Sequence, residues 1–165
     1  MSPDPNPTWS APLPSQECWR SESTLLVRTE HLNPHGYLFG GRLLEWLDEQ
    51  AYIAAISSVK PEASLVTVAI DNVRFQHQVR NGTALRFRTK LVHVGNTSLT
   101  LHTEVLRLPN TEQIFRAYVT FAAVSAQGKP LPVKPLLLAP FEPVTADEKK
   151  HWAEVEAARA RRRSS

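Results

Sequence analysis

Residues 39–58 of this 165-residue chain carry helical periodicity with no internal proline, while strand-length runs precede and follow them up to residue 124. That contrast limits the folds open to the chain. One strand-like run, STLLVRT (23–29), precedes the helix. Four follow Pro61: LVTVAIDNVRF (65–75), ALRFRTKLVHV (84–94), SLTLHTEVLRL (98–108) and IFRAYVTFAAV (114–124). β-branched and aromatic residues suit a pleated backbone. The breaks at Arg80-Asn81-Gly82, Gly95-Asn96 and Pro109-Asn110 are turn signals, and connections this short return successive strands antiparallel. Leu99, Leu101, Thr103 and Val105 alternate with Thr100, His102 and Glu104, which predicts one buried and one wet face. One long helix covering one face of such a sheet makes an α+β domain.

At about 100° per residue from Phe39, residues Leu43, Ala54, Leu47, Ala51, Leu44 and Ala55 fall within an arc of about 120° and form the core face. Glu45, Glu49 and Arg42 fall on the opposite, wet side. Asp48 lies at the margin of the apolar stripe, beside Leu44, Ala55 and Gly41. Aspartate is a poor interior helix residue and is unfavourable to desolvate. Its position there is read either as a boundary carboxylate bonded to a neighbouring element or as a catalytic group. Gly40 and Gly41 weaken the first turn by about 1 kcal/mol each relative to alanine. They also leave the first amide donors uncovered at the positive end of the helix dipole. Two readings follow: an oxyanion site, or close packing of the helix start on another backbone.

Proline marks both ends. Residues 1–20 read as a proline-rich arm, 21–128 as the folded body and 129–144 as an extended strap with five prolines. Thr145-Ala146-Asp147-Glu148 fits a capping box, predicting a basic helix and tail over 145–165. The net charge of +3 owes much to Arg159, Arg161, Arg162 and Arg163. Such a tail is either solvated and frayed or meets a polyanion. There is one cysteine, Cys18, no secretory leader pattern and no apolar run long enough for a membrane span. These point to a cytoplasmic protein.

The run His31-Leu-Asn33-Pro-His35-Gly-Tyr-Leu-Phe39-Gly40-Gly41-Arg-Leu-Leu-Glu-Trp-Leu-Asp48 resembles the signature of hotdog-fold acyl-CoA thioesterases, with an acid seven residues after the second glycine. Val66-Thr-Val-Ala-Ile-Asp71-Asn-Val-Arg-Phe75 and Val94-Gly95-Asn96-Thr97-Ser98 are similar to that family's second strand and its Val-Gly-x-Thr-Ser turn. The resemblance covers about 21–128. It implies a long helix wrapped by a curved antiparallel sheet, with protomers paired edge to edge and sites between them, as a homodimer or as a hexamer built from three dimers. It implies hydrolysis of acyl-CoA without a cofactor. Asp48 then matches the carboxylate that activates water or attacks the thioester. Asn33 matches the loop asparagine that holds substrate or water. The amides around Phe39, Gly40 and Gly41 match the carbonyl-polarising donors, and Thr97 and Ser98 the turn near pantetheine or nucleotide. The proline-rich arm and the basic helix with Trp152 lie outside that family core, and their arginines are candidates for the phosphates of CoA.

Other readings are weaker. His31 and His35 sit in a proline-glycine loop with no third ligand at useful spacing, so no metal site is expected. His77, His93 and His102 are expected to be surface or partly buried neutral residues. No histidine lies on the 39–58 helix, which argues against the acid–histidine pair of hotdog dehydratases. A non-catalytic acyl-CoA sensor on the same fold is the alternative from another class, though no helix-turn-helix pattern precedes residue 21. Nucleic-acid binding is not expected, because the arginine tail lacks interleaved aromatics.

Overall fold

A computed structural model of the chain describes residues 20–164; Cys18 and all of the proline-rich arm except Arg20 lie outside the described residues. The elements run β1 (Arg20–Leu26), α1 (Gly40–Ile56), β2 (Ser64–Phe75), β3 (Ala84–Val94), β4 (Ser98–Arg107), β5 (Glu112–Val124) and α2 (Ala146–Arg163). The five strands form one antiparallel sheet in the order β1-β3-β4-β5-β2. α1 lies against its inner face. This is the helix-on-antiparallel-sheet arrangement that the hotdog resemblance implies.

The core forms where the α1 stripe meets that face. Leu43, Leu47, Ala51, Ala54 and Ala55 are buried with Phe87, Leu99, Leu101, Phe115 and Phe121. Each large apolar side chain removed from water contributes about 1.5–3 kcal/mol. Leu44 is only half-buried. Trp46, outside the expected stripe, is buried instead, its ring edge-on to His31 at 4.8 Å and to Phe87 at 6.4 Å. The loop before α1 folds back over the helix and covers a side the wheel leaves open.

Three expectations need correction. The first strand spans Arg20–Leu26 rather than 23–29, because Thr29–His31 turns as a short 3-10 helix closed by His31 N to Arg28 O. The second concerns the link from β2 to β3, which is not a hairpin. Residues 76–83 carry the chain from one sheet edge towards the other, held by Gln76 N to Ile114 O and Leu38 N to Val79 O. The third concerns the outer face, expected to be wet. Thr100, His102 and Thr120 are buried there, with α2 packed across His102, Tyr118 and His93. Under this cover Thr100 Oγ1 and Thr120 Oγ1 pair at 2.9 Å, whereas His102 Nε2 is buried without a hydrogen-bond partner.

α2 starts at the expected capping box: Glu148 N donates to Thr145 Oγ1, and Thr145 N donates back to Glu148 Oε2. Its carboxyl end is docked rather than frayed, with Arg162 3.3 Å from Asp71. The strap includes a 3-10 turn at Lys134–Leu136 and ties β5 to the end of α1 through Lys60 N to Leu136 O and Leu138 N to Ser58 O.

Candidate active site

The loop before α1 is shaped by Asn33. Its Oδ1 accepts from His35 N at 2.9 Å and from Tyr37 N at 3.2 Å, while its backbone N donates to Tyr37 O. Asparagine favours this side-chain mimic of a turn. Gly36 completes it at φ +78°, a region that side-chain-bearing residues avoid. With Oδ1 occupied, the Nδ2 amide is the end of Asn33 left to donate. Asn33, Tyr37, Gly40, Phe75, His77 and Val79 line a cleft of about 520 Å³. His31 serves the loop itself: its Nδ1 accepts from Arg28 N at 3.0 Å.

α1 starts without a side-chain cap, and Phe39 is the N-cap residue. The first helical bond runs from Leu43 N to Phe39 O, so the amides of Gly40, Gly41 and Arg42 precede it. An aromatic ring flanks each glycine. A Cβ on Gly41 would lie 2.6 Å from the Phe39 ring, and one on Gly40 would lie 3.6 Å from the Phe75 ring. Gly41 is therefore needed for Phe39 to fold over the helix start. The ring itself is 56% exposed. The helix dipole and the amides that precede the first helical bond favour negative charge at this end of α1.

Asp48 lies two turns further along α1, about 11 Å by helix rise from Gly41. It is half-buried, and its Oδ1 accepts from Thr67 Oγ1 at 2.9 Å. Thr67 was not singled out by the sequence reading. Its signal was a lone hydroxyl within Leu65-Val66-Thr67-Val68-Ala69-Ile70. β2 breaks register directly after it, between Thr67 and Ala69. Such a bulge re-aims side chains, and here the strand keeps a hydroxyl aimed at the helix carboxylate. A second irregularity follows between Asp71 and Arg74, with Asn72 at φ +51°, a conformation asparagine tolerates better than most residues.

Thr97 and Ser98 sit in the β3–β4 turn, apart from both places. Gly95 N to Ser98 O and Ala123 N to Thr97 O hold the turn. Ser98 Oγ accepts from Arg159 of α2 at 3.1 Å. Beside it the buried His93 bonds Glu156 through Nε2, and burial keeps its pKa below the usual histidine value despite that carboxylate. Within one chain, Asn33 and Gly40 share a cleft, Gly41 and Phe39 adjoin it, and Asp48 pairs with Thr67 elsewhere. Asn33 is not brought to Asp48. Among the described residues, no group of three or more His, Cys, Asp or Glu is placed to hold a metal ion.

One boundary of the site is open. β2 is an edge strand, and Val66, Val68, Ile70, Val73 and Phe75 along it are exposed. Tyr52, Ile53 and Ile56 of α1 add to the exposed apolar surface. An unpaired apolar edge of this length is a template for another strand.

Known proteins resemble this chain in sequence and in fold. A thioesterase-superfamily model matches residues 35–114. The rat cytosolic acyl coenzyme A thioester hydrolase is 30% identical over 142 residues, 81% of this chain and 35% of that protein. This chain thus spans about a third of that relative's length. An acyl-CoA thioester hydrolase of Zymomonas mobilis, itself uncharacterized, is 32% identical over 116 residues, covering 68% of this chain and 76% of that one. A crystal structure of an apo-hexameric acyl-CoA thioesterase superposes with a TM-score of 0.76 at 29% identity, covering 90% of this chain and 94% of its own.

Proposed function

Because the chain belongs to the thioesterase superfamily, we propose that it hydrolyses acyl-CoA to a carboxylic acid and CoA, as a homo-oligomer and without a cofactor. The observation that carries this reading is the Asp48 carboxylate fixed by Thr67 beside the unpaired apolar edge of β2. A second copy pairing along that edge would satisfy β2 and bring one protomer's Asn33 cleft towards the other's Asp48. The hexameric relative supports assembly, and a homodimer or three such dimers fits the same edge.

The thioester carbonyl is electrophilic and its thiolate leaves readily, so a positioned carboxylate and an oxyanion site suffice. The carbonyl oxygen lies against the amides of Gly40 and Gly41, under Phe39, with Asn33 Nδ2 holding substrate or water. Asp48 then acts in one of two ways. As base it takes a proton from water while the hydroxide adds to the carbonyl, and that proton leaves with the departing CoA thiolate. As nucleophile it forms an acyl anhydride and releases CoA thiolate, and water cleaves the anhydride. Thr67 orients the carboxylate in both. Thr97 and Ser98 lie at the turn assigned to the CoA moiety. A cytoplasmic location accords with the rat relative's name, and no described helix is long and apolar enough to cross a membrane.

The test is CoA release from short, medium, long and aromatic acyl-CoAs by wild type and Asp48→Asn. A folded, still-oligomeric mutant slowed by about a hundredfold or more supports the assignment. Turnover unaffected by the mutation discards Asp48. Acyl-CoA binding by a wild type that turns over none of them leaves a sensor in place of an enzyme.

A further inference from the structure

The outer helix places a guanidinium on the β3–β4 turn. Arg159 Nη1 donates to Ser98 Oγ at 3.1 Å, and the turn leaves room for it because residue 95 is glycine. A Cβ there would stand 2.8 Å from Nη1 and 3.1 Å from Nη2. Other arginines here meet carboxylates at closer range: Arg107 reaches Glu112 at 2.9 Å and Arg162 reaches Asp71 at 3.3 Å. Arg159 does not. Its nearest recorded carboxylate oxygen, Glu156 Oε1, is 3.8 Å away and is bonded to His93. That separation is beyond hydrogen-bond reach. This three-quarters-buried cation, its side chain 22% exposed, thus has a neutral hydroxyl as its hydrogen-bond partner and only a loose ion pair to Glu156. Arg161, Arg162 and Arg163 follow in the next turn, where Arg162 pairs with Asp71.

The turn lies at the same end of the sheet as the Thr67–Asp48 pair. Thr67 and Leu99 both pair with Phe121, and Leu99 adjoins Ser98. Two strand spacings therefore separate Thr67 from the start of β4, about 10 Å. The substrate class proposed above has an uncharged pantetheine arm ending in a phosphorylated nucleotide. We propose that Arg159, lodged over Gly95 and steadied by Ser98, binds a phosphate of the nucleotide end of the CoA thioester, so that α2 adds a cationic contact to that turn. This inference rests on the acyl-CoA reading. A guanidinium suits the role because its fork of donors matches phosphate oxygens.

The experiment compares hexanoyl-CoA, hexanoyl-dephospho-CoA and hexanoyl-pantetheine on wild type, Arg159→Gln, Arg159→Lys and Gly95→Ala. The quantity read is the preference for the CoA thioester over the pantetheine thioester, as a ratio of kcat/KM values. Arg159→Gln is expected to lower that preference about tenfold or more, through KM, as loss of a charge-assisted contact would. Arg159→Lys restores part of it. Gly95→Ala lowers it too, because the new methyl displaces the flexible guanidinium while the fold persists. A penalty that vanishes with the dephospho substrate assigns the 3′-phosphate, and one that persists there assigns the diphosphate. An unchanged preference in Arg159→Gln overturns the inference, whether activity stays high or falls equally on all three substrates. Should the wild type hydrolyse none of them, the catalytic reading fails. The inference is then decided by calorimetric CoA affinity: weaker binding by Arg159→Gln upholds it, and equal binding by both proteins overturns it.

Discussion

Acid should weaken this fold through the histidines under α2, and His102 allows the effect to be worked out. It is 6% exposed on β4 and its Nε2 is buried without a partner. Its ring lies 4.3 Å from His151 of α2 and 5.0 Å from Tyr118 of β5. Burial, then the charges of His151, Lys90 and Arg116, push its pKa down to about 3, with Asp147 opposing weakly. The folded pKa is depressed below the unfolded value of 6.5. Protons therefore bind the unfolded chain first, and stability falls as pH drops from 6.5 towards 3. Each unit is worth about 1.4 kcal/mol, so His102 alone removes about 3 kcal/mol by pH 4.5. His93 and His151, both lowered chiefly by burial, act in the same direction. The perturbation is His102→Phe, which keeps a flat ring, removes the titration and deletes the unpaired nitrogen. Urea unfolding at pH 7 and pH 4.5, at one fixed protein concentration, gives the two stabilities. The mutant should lose about 3 kcal/mol less than wild type over that interval. Equal losses in the two proteins would refute the reasoning, because the acid sensitivity would then arise elsewhere.

Other substitutions separate site from scaffold. Thr67→Val removes the donor to Asp48 Oδ1; a hydrogen bond to a charged group contributes about 1.5–3 kcal/mol, so kcat should fall roughly 10- to 100-fold, with the melting temperature nearly unchanged. Val68→Asp places a charge on the open β2 edge, where the valine is 55% exposed; light scattering should report smaller particles and activity should fall with them. Gly41→Ala drives the Phe39 ring off the helix start while raising helix propensity by about 1 kcal/mol, so thermal stability should hold or rise as kcat/KM drops at least about tenfold.

The helix and most strand limits were legible because they follow from local patterns: α1 begins one residue inside and ends two residues inside its expected span, and β3 has the expected span. The placing of β2 was not legible. Its link to β3 is only eight residues long and reads as a turn, yet strand neighbours depend on how α1 seats the chain. Alternation along β4 separated the two faces correctly but misread what covers the outer one. Thr100 is polar because it bonds Thr120, and His102 lies under α2 against the rings of Tyr118 and His151; neither is polar because water reaches it. At the site, glycines and a marginal acid stand out in sequence, whereas Thr67 needs a three-dimensional partner to be noticed. Phe39 folding back on Gly41 is likewise invisible until the backbone is placed.

The two helices are attached to the sheet by different physics. α1 buries an apolar stripe against the inner face, and that contact is insensitive to salt. α2 buries little beyond His151, Val155 and Ala158. It docks through a polar series instead: Asp147 to Lys90, His151 and Glu154 to Tyr118, Glu156 to His93, Arg159 to Ser98 and Arg162 to Asp71. The ion pairs at its two ends, Asp147 to Lys90 and Arg162 to Asp71, are partly exposed and contribute under about 1 kcal/mol each, so α2 is the helix whose contacts respond to acid and ionic strength. The strands themselves align its bed, because Arg20, Lys90, His102, Tyr118 and Asp71 stand opposite one another across all five. The histidine end and the arginine end of α2 are therefore linked through one rigid helix. Loosening at His102 and His151 would carry Arg159 away from Ser98, tying the acid response of the fold to the turn assigned to the substrate's phosphates.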